Sequence, residues 1–553
     1  MLNARLARFR AWAWWDAVVT GWARRLVVPG VCLGMALLVL APLLGRGFVL
    51  SYDMVFAPRQ YLLPDSFGLG SALPRSVPAD AVVGALTTFV PGDIVQQVFL
   101  LGALFAGPFG TARLVPTESV GVRVVAAVTY GWTAYLAERL LMGHWPYLLA
   151  YAALPWVVLA RKSPAKLVLA CLPGILTPTG GILVAVTAVV AGGPKRLKFT
   201  VPIAIVLNAP WWVPAVLHSG TALSSEDAVG AFAAQSENWG GPVVSLLGLG
   251  GIWNAEVTPG SRGNPLVPIL TIAAVAVALL GLRHLHTRWA RRITILGAVG
   301  VLVAALPTLP GGRQLVGWVV AGVPGGGLLR DSQKWVAWWA LPLALGVAMA
   351  VEKVGRKAIV AAAVVIPLVA MPDFAFAAWG RLHTAQYPED WYEVTDILAH
   401  DRRPGDVVTQ PFSAFRQFAW NRDRTQLDPA PRFLPRPTVI DDTLYVNGRP
   451  LPGEDPRAQR IRDGEPLAGL GIGWVLVERG TPGQTDLDGL EPVYRGQWLE
   501  LYRVPGPVAD APDGPAETPI VLAFVVAGAL ILLSLLWLAL PTGRLTSSPD
   551  RRR

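Results

Sequence analysis

Long apolar blocks separated by short basic loops dominate the sequence. A membrane-crossing helix needs about 20 mostly apolar residues, and shorter helices are tolerated where protein covers them. By this measure the crossing segments are Val27–Leu44, Ile94–Ala112, Val120–Leu136, Tyr147–Ala160, Lys166–Gly192, Phe199–Val216, Leu266–Leu282, Ile293–Leu306, Trp335–Val351, Ala358–Phe376 and Ile520–Leu540. The pattern predicts an α-helical polytopic membrane protein with about twelve crossings, two of them half-helices.

The half-helices are expected within Lys166–Gly192. Basic loops flank both ends of this segment, so it must cross an even number of times. It is too short for two complete spans, and Thr177–Gly181 interrupts it. We therefore expect two short helices that meet inside the protein, where neighbouring helices cover the break.

The pattern changes between residues 379 and 518, where charges are frequent and no apolar run could cross. Strands are indicated at Asp406–Gln410, Trp474–Val477 and Leu499–Val504, and a helix at Asp390–His400. This predicts a small α/β domain. The expected division is a basic and aromatic interfacial segment at 1–25, a multi-pass domain at 26–378, the α/β domain at 379–518, a final transmembrane helix at 519–541 and a basic tail at 542–553.

Composition and charge agree with a membrane protein. Apolar residues make up 53% of the chain and charged residues 15%, against about 25% in soluble proteins. The net charge of +10 resides largely in loops between apolar blocks, which is typical of cytoplasmic loops and does not indicate a nucleic-acid partner. We expect a plasma-membrane protein with both termini cytoplasmic and residues 379–518 extracytoplasmic.

The first candidate for chemistry is Asp53, directly after the first span. An acid in an apolar setting is costly and usually has a partner, for which Arg59 is the nearest candidate. Asp53 could act as a general base, or it could simply cap a helix or pair with Arg59. Other acids in the same loop are Asp65, Asp80 and Asp93.

Two further polar groups stand in predicted outer loops. Glu138, Arg139 and His144 occupy a short turn between spans, where they face either water or a polar cavity. The stretches Ser224–Asp227 and Glu237–Gly241 place carboxylates beside Trp239, which suits sugar binding, although helix capping would explain them as well.

A third group is the glycine-rich segment Pro324–Trp335. Arg330 and Lys334 are four residues apart and could share one helix face. With the free N–H groups at a helix start they would bind a phosphate, for which a lipid-linked phosphate is the sensible source. The alternative is an interfacial pair whose charged ends reach toward water.

This layout resembles the GT-C superfamily of polyprenyl-phosphate-sugar-dependent glycosyltransferases, whose actinobacterial members make envelope glycans. Asp53–Arg59, Glu138–Trp145 and Arg330–Trp335 look like stretches of such proteins. The resemblance implies a GT-C-like fold, a polyprenyl-phosphate sugar donor, an acceptor that is an envelope glycan or glycolipid, and action in the lipid bilayer. Many members carry two adjacent acids where this chain has Asp53 alone.

The resemblance implies the role of Asp53, and the residue patterns above suggest the roles of the others. Asp53 would be the catalytic base, and Arg330, Lys334 and Arg59 would bind the donor phosphate. The expected substrate contacts are Glu138, Arg139, His144, Glu226, Asp227, Trp239, Asp331 and Gln333. No metal site is predicted. If a divalent cation such as Mg or Mn takes part as a cofactor, its candidate ligands are Glu138, Glu226 and Asp227.

Two other functions fit the same pattern. A transporter or flippase of a lipid-linked glycan would use the broken helix pair. A non-catalytic scaffold of an envelope-biosynthesis complex would use the α/β domain to bind its partners.

Overall fold

The computed structural model describes residues 21–73, 76–218, 226–323, 325–441, 443–446, 449–451 and 455–540. The predicted segments 1–25 and 542–553 lie almost wholly outside this part. Up to residue 370 the helices are α1 (Gly21–Leu40), α2 (Ala79–Thr87), α3 (Gly92–Leu114), α4 (Val120–Gly131), α5 (Ala134–Leu141), α6 (Trp145–Ala160), α7 (Pro164–Cys171), α8 (Pro178–Gly192), α9 (Leu197–Leu217), α10 (Glu226–Ala231), α11 (Gly241–Leu247), α12 (Leu266–Leu282), α13 (Arg288–Ala305), α14 (Gly312–Gly322), α15 (Ala337–Val354) and α16 (Lys357–Ala370).

Seven helices in the described part are long and apolar enough to cross a membrane, and the bent pair Lys357–Ala370 and Pro372–Gly380 makes an eighth. The pair bends by 66°. Three shorter apolar helices, α6, α8 and α12, accompany them. Each predicted crossing therefore corresponds to a helix, while the count of twelve stays a prediction.

The predicted break inside Lys166–Gly192 is present. α7 and α8 are separated by a turn at residues 172–177, and each begins with a proline, which has no N–H to leave unpaired in a first turn. A second break was not predicted: the span that begins at Val120 is interrupted at Trp132–Thr133, where α5 begins.

α15 is the central helix of the membrane part, and 83% of its apolar stretch is buried. It packs against α4, α12 and α13. α12 and α15 touch backbone to backbone, because a methyl group at Gly281 would overlap the carbonyl of Gly346. Small residues at such contacts permit the close packing that holds helices together in lipid.

After residue 380 the chain forms a mixed α/β region. Its helices are α17 (Glu389–His400), α18 (Ala430–Phe433) and α19 (Pro456–Arg462), and α20 (Glu517–Ala539) follows as the last apolar helix. The strands of the chain are β1 (Phe48–Val49), β2 (Thr384–Ala385), β3 (Asp406–Gln410), β4 (Phe415–Gln417), β5 (Thr425–Leu427), β6 (Thr438–Val439), β7 (Leu444–Val446), β8 (Arg449–Leu451), β9 (Ile472–Glu478), β10 (Glu491–Arg495) and β11 (Leu499–Arg503).

The main sheet of this region has the strand order β10-β11-β9-β3-β6. β3 runs parallel to β6 and β9, whereas β11 is antiparallel to both of its neighbours. The three predicted strands and the predicted helix are all present. β2 pairs with β1 from the membrane part, so the α/β region is joined by backbone hydrogen bonds to the segment that leads to Asp53.

Candidate functional site

Asp53 lies in a tight loop that is held from two sides. Its N–H donates to the carbonyl oxygen of Met142 at the end of α5, 3.2 Å away. On the other side, the Tyr52 N–H donates to Thr425 O (2.7 Å), and the Leu427 N–H donates to Tyr52 O (2.8 Å). The position of Asp53 is therefore fixed jointly by the membrane part and by β5 of the α/β region.

Gly143 permits the close approach of this loop to the start of α6. Its φ of +74° is left-handed, and a Cβ atom there would overlap Ser51 O and Met54 N. A residue with a side chain would push the loop away. Gly143 thus brings the next residue, His144, directly beside Asp53.

His144 links Asp53 to a buried arginine. Its Nε2 lies 3.0 Å from Asp53 Oδ2, and its Nδ1 lies 2.8 Å from a guanidinium nitrogen of Arg139. The His144 ring is buried, whereas 46% of the Asp53 side-chain surface is accessible. A ligand can therefore reach the Asp53 carboxylate but not the ring behind it.

Arg139 is fully buried and donates to Asp331 Oδ2 (3.1 Å) and to Gln333 Oε1. The Lys334 ammonium lies 3.7 Å from Asp331 Oδ2 and 5.1 Å from the centre of the Tyr147 ring. Burial raises the pKa of Asp331, but Arg139 and Lys334 outweigh burial and lower it to about 2. We call the six linked polar residues the Asp53 cluster: Asp53, Arg139, His144, Asp331, Gln333 and Lys334.

The electrostatics of the cluster favour an ionised Asp53 beside a neutral His144. Burial raises the pKa of Asp53, but the hydrogen bond from His144, with the charges of Arg432 and Lys334, brings it below its usual range. Burial lowers the pKa of His144, and the nearby Asp53 offsets only part of this effect. An ionised carboxylate beside a neutral imidazole is suited to accepting a proton.

A second buried group adjoins the cluster through Gln333, whose amide donates to Glu138 Oε2 (3.3 Å) and to Gly250 O (3.1 Å). The Glu138 and Glu237 side chains are both buried, and each has one carboxyl oxygen without a hydrogen-bond partner among the described residues. Glu237 also accepts two hydrogen bonds from Arg262, at 3.0 and 2.7 Å. Burial raises the pKa of Glu237, but the neighbouring Glu138 carboxyl and the charge and hydrogen bonds of Arg262 lower it overall.

The predicted pairing of Asp53 with Arg59 is wrong. Arg59 is exposed, and its guanidinium lies over the Tyr61 ring, 5.4 Å from the ring centre. His144 takes the place of the expected arginine. Arg59 is the nearest cation in sequence, whereas the fold supplies a partner from another helix connection.

The competing acids of the same loop have other partners or settings. Asp80 pairs with Arg432 at 3.0 Å, and Asp93 accepts from the Ile94 N–H at the start of α3 (2.9 Å). The pKa of Asp65 is raised to about 6, chiefly by burial. Of the four acids, it is Asp53 that is joined to His144 and Arg139.

Glu138 and Arg139 do not stand in a solvated turn. They form part of α5, and both side chains have no exposed surface. In the described part of the chain, neither water nor an open cavity faces them: both side chains are buried against polar groups of a distant segment. Their partners, Asp331 and Gln333, come from the segment before α15 and are the acid and amide expected to contact substrate.

The expectation that Arg330 and Lys334 share a helix face is wrong. Two short 3-10 turns replace the helix, and Asp331 between them has φ −89° and ψ 79°. Lys334 turns toward Asp331, while Arg330 lies over the Phe232 ring, 4.6 Å from its centre. The structure therefore brings Lys334, and not Arg330, into the Asp53 cluster.

The remaining predicted substrate residues are not brought to the cluster by any described contact. Trp239 is exposed and donates to Pro265 O (2.9 Å). α10 begins at Glu226, but the side chains of Glu226 and Asp227 lie outside the described residues. Glu138, the third candidate ligand for a divalent cation, lies against Gln333 and the Glu237–Arg262 pair, and in the described part no three acid, histidine or cysteine side chains form a metal-ligand group.

An apolar cavity of about 310 Å³ is lined in part by Trp335, the residue that follows Lys334 in the chain. It is lined by Ile182, Val303, Gly325, Leu328, Leu329, Trp335 and Trp338. The Trp335 side chain is buried, and its indole N–H has no hydrogen-bond partner among the described residues. Apolar walls with one spare donor suit the chain of an amphipathic lipid.

Three residues at this site escape sequence reasoning. The sequence singles out Glu237 only as a neighbour of Trp239, and Arg262 and Arg432 carry no local signal, because each pairs with an acid far away in sequence.

We expect Gly143→Ala to lower the rate of the reaction at Asp53 by about 10²-fold, because small misplacements of reacting groups have effects of this size. Gly311→Ala is the matched control: Gly311 has a similar φ of +73° but open space around its Cβ position. Measured rates and thermal unfolding midpoints would separate the effects. Equal losses in both variants would show that backbone strain, and not the overlap at Ser51, is responsible.

Comparisons with known proteins place this site in a recognisable fold. No protein-family model matches the chain, and no curated protein matches it. A solved structure, the arabinofuranosyltransferase AftD from mycobacteria, is similar with a TM-score of 0.57 and 17% sequence identity. What the two share is the fold. The similarity covers 88% of this chain and 40% of AftD, so this chain spans well under half of its structural relative.

Proposed function

We propose that this protein is a GT-C-type glycosyltransferase of the cell envelope. It would move a sugar from a polyprenyl-phosphate donor to an envelope glycan or glycolipid at the outer face of the plasma membrane. The observation that carries the proposal is the Asp53 cluster, in which an accessible, ionised carboxylate lies on buried His144 and Arg139 beside the cation Lys334.

The proposed reaction uses these groups in one displacement. Asp53 accepts the proton of the acceptor hydroxyl as that oxygen bonds to the anomeric carbon of the sugar. The bond between the anomeric carbon and the phosphate oxygen breaks, and the lipid phosphate leaves with the bonding electrons. Lys334 stabilises the negative charge of the leaving phosphate. Arg330 and Arg59 remain proposed phosphate contacts of a bound donor.

The apolar cavity lined by Trp335, the residue after Lys334 in the chain, supports a lipid-linked donor. In this proposal the prenyl chain of the donor occupies that cavity, and its phosphate extends to the Lys334 ammonium. Such an arrangement matches a ligand that is apolar over most of its length and charged at one end. The similarity to AftD makes arabinofuranose the first sugar to test.

The first experiment is glycosidic-linkage analysis of envelope glycans and lipid-linked sugars. A strain that lacks the protein would be compared with the same strain complemented by the wild type. We expect one linkage to be missing in the deletion strain and to return with the wild type. The missing linkage would identify both the sugar and the acceptor.

Two other outcomes would replace this proposal. If linkages are unchanged but purified protein moves lipid-linked glycan across vesicles without altering it, the protein is a transporter. If neither activity is found and removal of residues 379–518 alone blocks envelope synthesis, the protein is a scaffold.

A further inference from the structure

We propose that His144 is a positioning residue, held as the neutral imidazole with its proton on Nε2, which orients Asp53 and never serves as the base itself. This inference rests on the proposed function for the role of Asp53. The state of the imidazole ring follows from geometry alone.

The first step concerns Nδ1 of His144. It lies 2.8 Å from a guanidinium nitrogen of Arg139. Arginine can only donate hydrogen bonds, so Nδ1 must be the acceptor and carries no proton. Arg139 cannot turn away, because Asp331 and Gln333 hold its guanidinium and its side chain is completely buried.

The second step concerns Nε2. A neutral imidazole without a proton on Nδ1 carries it on Nε2, which lies 3.0 Å from Asp53 Oδ2. The ring therefore donates to one carboxylate oxygen of Asp53. That bond fixes the carboxylate and leaves its other oxygen for the hydroxyl of an acceptor.

The third step concerns the protonated ring. An imidazolium would direct a second N–H at the Arg139 guanidinium and would set two cations 2.8 Å apart in a buried place. Asp53 attracts the added proton, but the ring also faces Lys334 and the Tyr147 ring, and burial opposes the charge. Beyond these direct neighbours, the charge of Asp331 is neutralised by Arg139 and Lys334. Arg432 is a further cation, and its charge lowers the pKa of Asp53.

The consequence is a division of roles. Because His144 cannot take up a proton, it cannot compete with Asp53 as the base. No group of the Asp53–His144 pair would then titrate between about pH 5 and 8, although an ordinary histidine titrates near pH 6.5. The rate of the wild type should be independent of pH over this interval.

The test combines spectroscopy with two substitutions. Heteronuclear NMR of protein carrying isotope-labelled histidines would be recorded in nanodiscs between pH 8 and 5. The His144 signal would be assigned as the one that is missing in His144→Gln. We expect a neutral ring protonated on Nε2 throughout, and an imidazolium or a proton on Nδ1 would overturn the inference.

The kinetic arm separates positioning from packing. His144→Leu removes the donor to Asp53, and we expect kcat to fall by about 10–10²-fold with KM unchanged, since a hydrogen bond to a charged group has this value. His144→Gln keeps a donor and should recover most of the rate. His400→Gln, an exposed histidine on α17, is the control. Equal losses of kcat in His144→Leu and His144→Gln, or a change confined to KM, would overturn the positioning role.

The two proposals can fail separately. The NMR measurement needs no substrate, so absence of transferase activity in the wild type would overturn the proposed function while the ring state stood. If the wild type is active but the NMR signal shows an imidazolium at His144, the proposed function stands and the inference about the ring is overturned.

Discussion

Replacing Asp53 by asparagine should abolish sugar transfer while the protein remains folded. The amide cannot accept a proton from the acceptor hydroxyl, and a positioned general base contributes about 10²–10⁴-fold to a rate. Asparagine has nearly the same shape and can still accept the His144 Nε2–H hydrogen bond, so the loop should hold its position. We expect kcat to fall by this factor, measured with purified protein, a polyprenyl-phosphate sugar and a short acceptor glycan.

Asp93→Asn is the matched control for this substitution. Asp93 lies in the first turn of α3, where it accepts a hydrogen bond from the Ile94 N–H, and it has no described contact with His144 or Arg139. It should keep the wild-type rate and restore the missing linkage in the deletion strain. If Asp53→Asn is as active as Asp93→Asn, the base is another residue and the proposed mechanism is wrong.

The ionisation of Asp53 also links the site to stability. Its pKa is lower in the folded protein than in the unfolded chain. A group with a lowered folded pKa stabilises the fold above its unfolded value, and this contribution disappears as the pH falls through the folded value. The contribution is therefore complete at neutral pH, where the reaction would take place.

Local sequence features predict part of this site. Asp53 is identifiable because an acid directly after an apolar span is energetically costly and therefore usually has a partner or a function. The broken pair α7 and α8 is identifiable because basic loops on both sides demand an even number of crossings. Both inferences depend on the free-energy cost of placing charges and unpaired backbone groups in lipid. This cost constrains which residues can stand next to each other along the chain, so the local sequence shows it.

The partners of Asp53 cannot be predicted in the same way. Arg139 contacts Asp331 and Gln333, which are 192 and 194 positions away along the chain. Helical spacing is also a poor guide near Lys334, because Asp331 leaves the helical conformation to meet Arg139. Tertiary pairing of buried charges overrides local periodicity, and one sequence carries no signal for it.

The largest stability effect is expected from Arg139→Met. Methionine fills a similar volume, but buried Asp331 and Gln333 lose the Arg139 donor, and Asp331 keeps only the more distant Lys334 ammonium, 3.7 Å away. Removal of one partner from a buried ion pair typically costs about 3–5 kcal/mol. We expect the free energy of unfolding in mixed micelles to fall by this amount, while Arg123→Met on α4, whose side chain is 37% exposed, changes it by less than about 1 kcal/mol.

A second substitution shows whether the loss arises from the unpaired acid. Asp331→Leu in the Arg139→Met background removes the buried acid that has lost its closer cation, so part of the lost stability should return. The rate should not return with it, because His144 has lost the donor that fixes its ring and Lys334 has lost Asp331. Recovery of both properties together would mean that Arg139 serves only packing. Recovery of stability alone would mean that the buried arginine is retained for the geometry of Asp53, at a cost to the fold that an apolar pair would avoid.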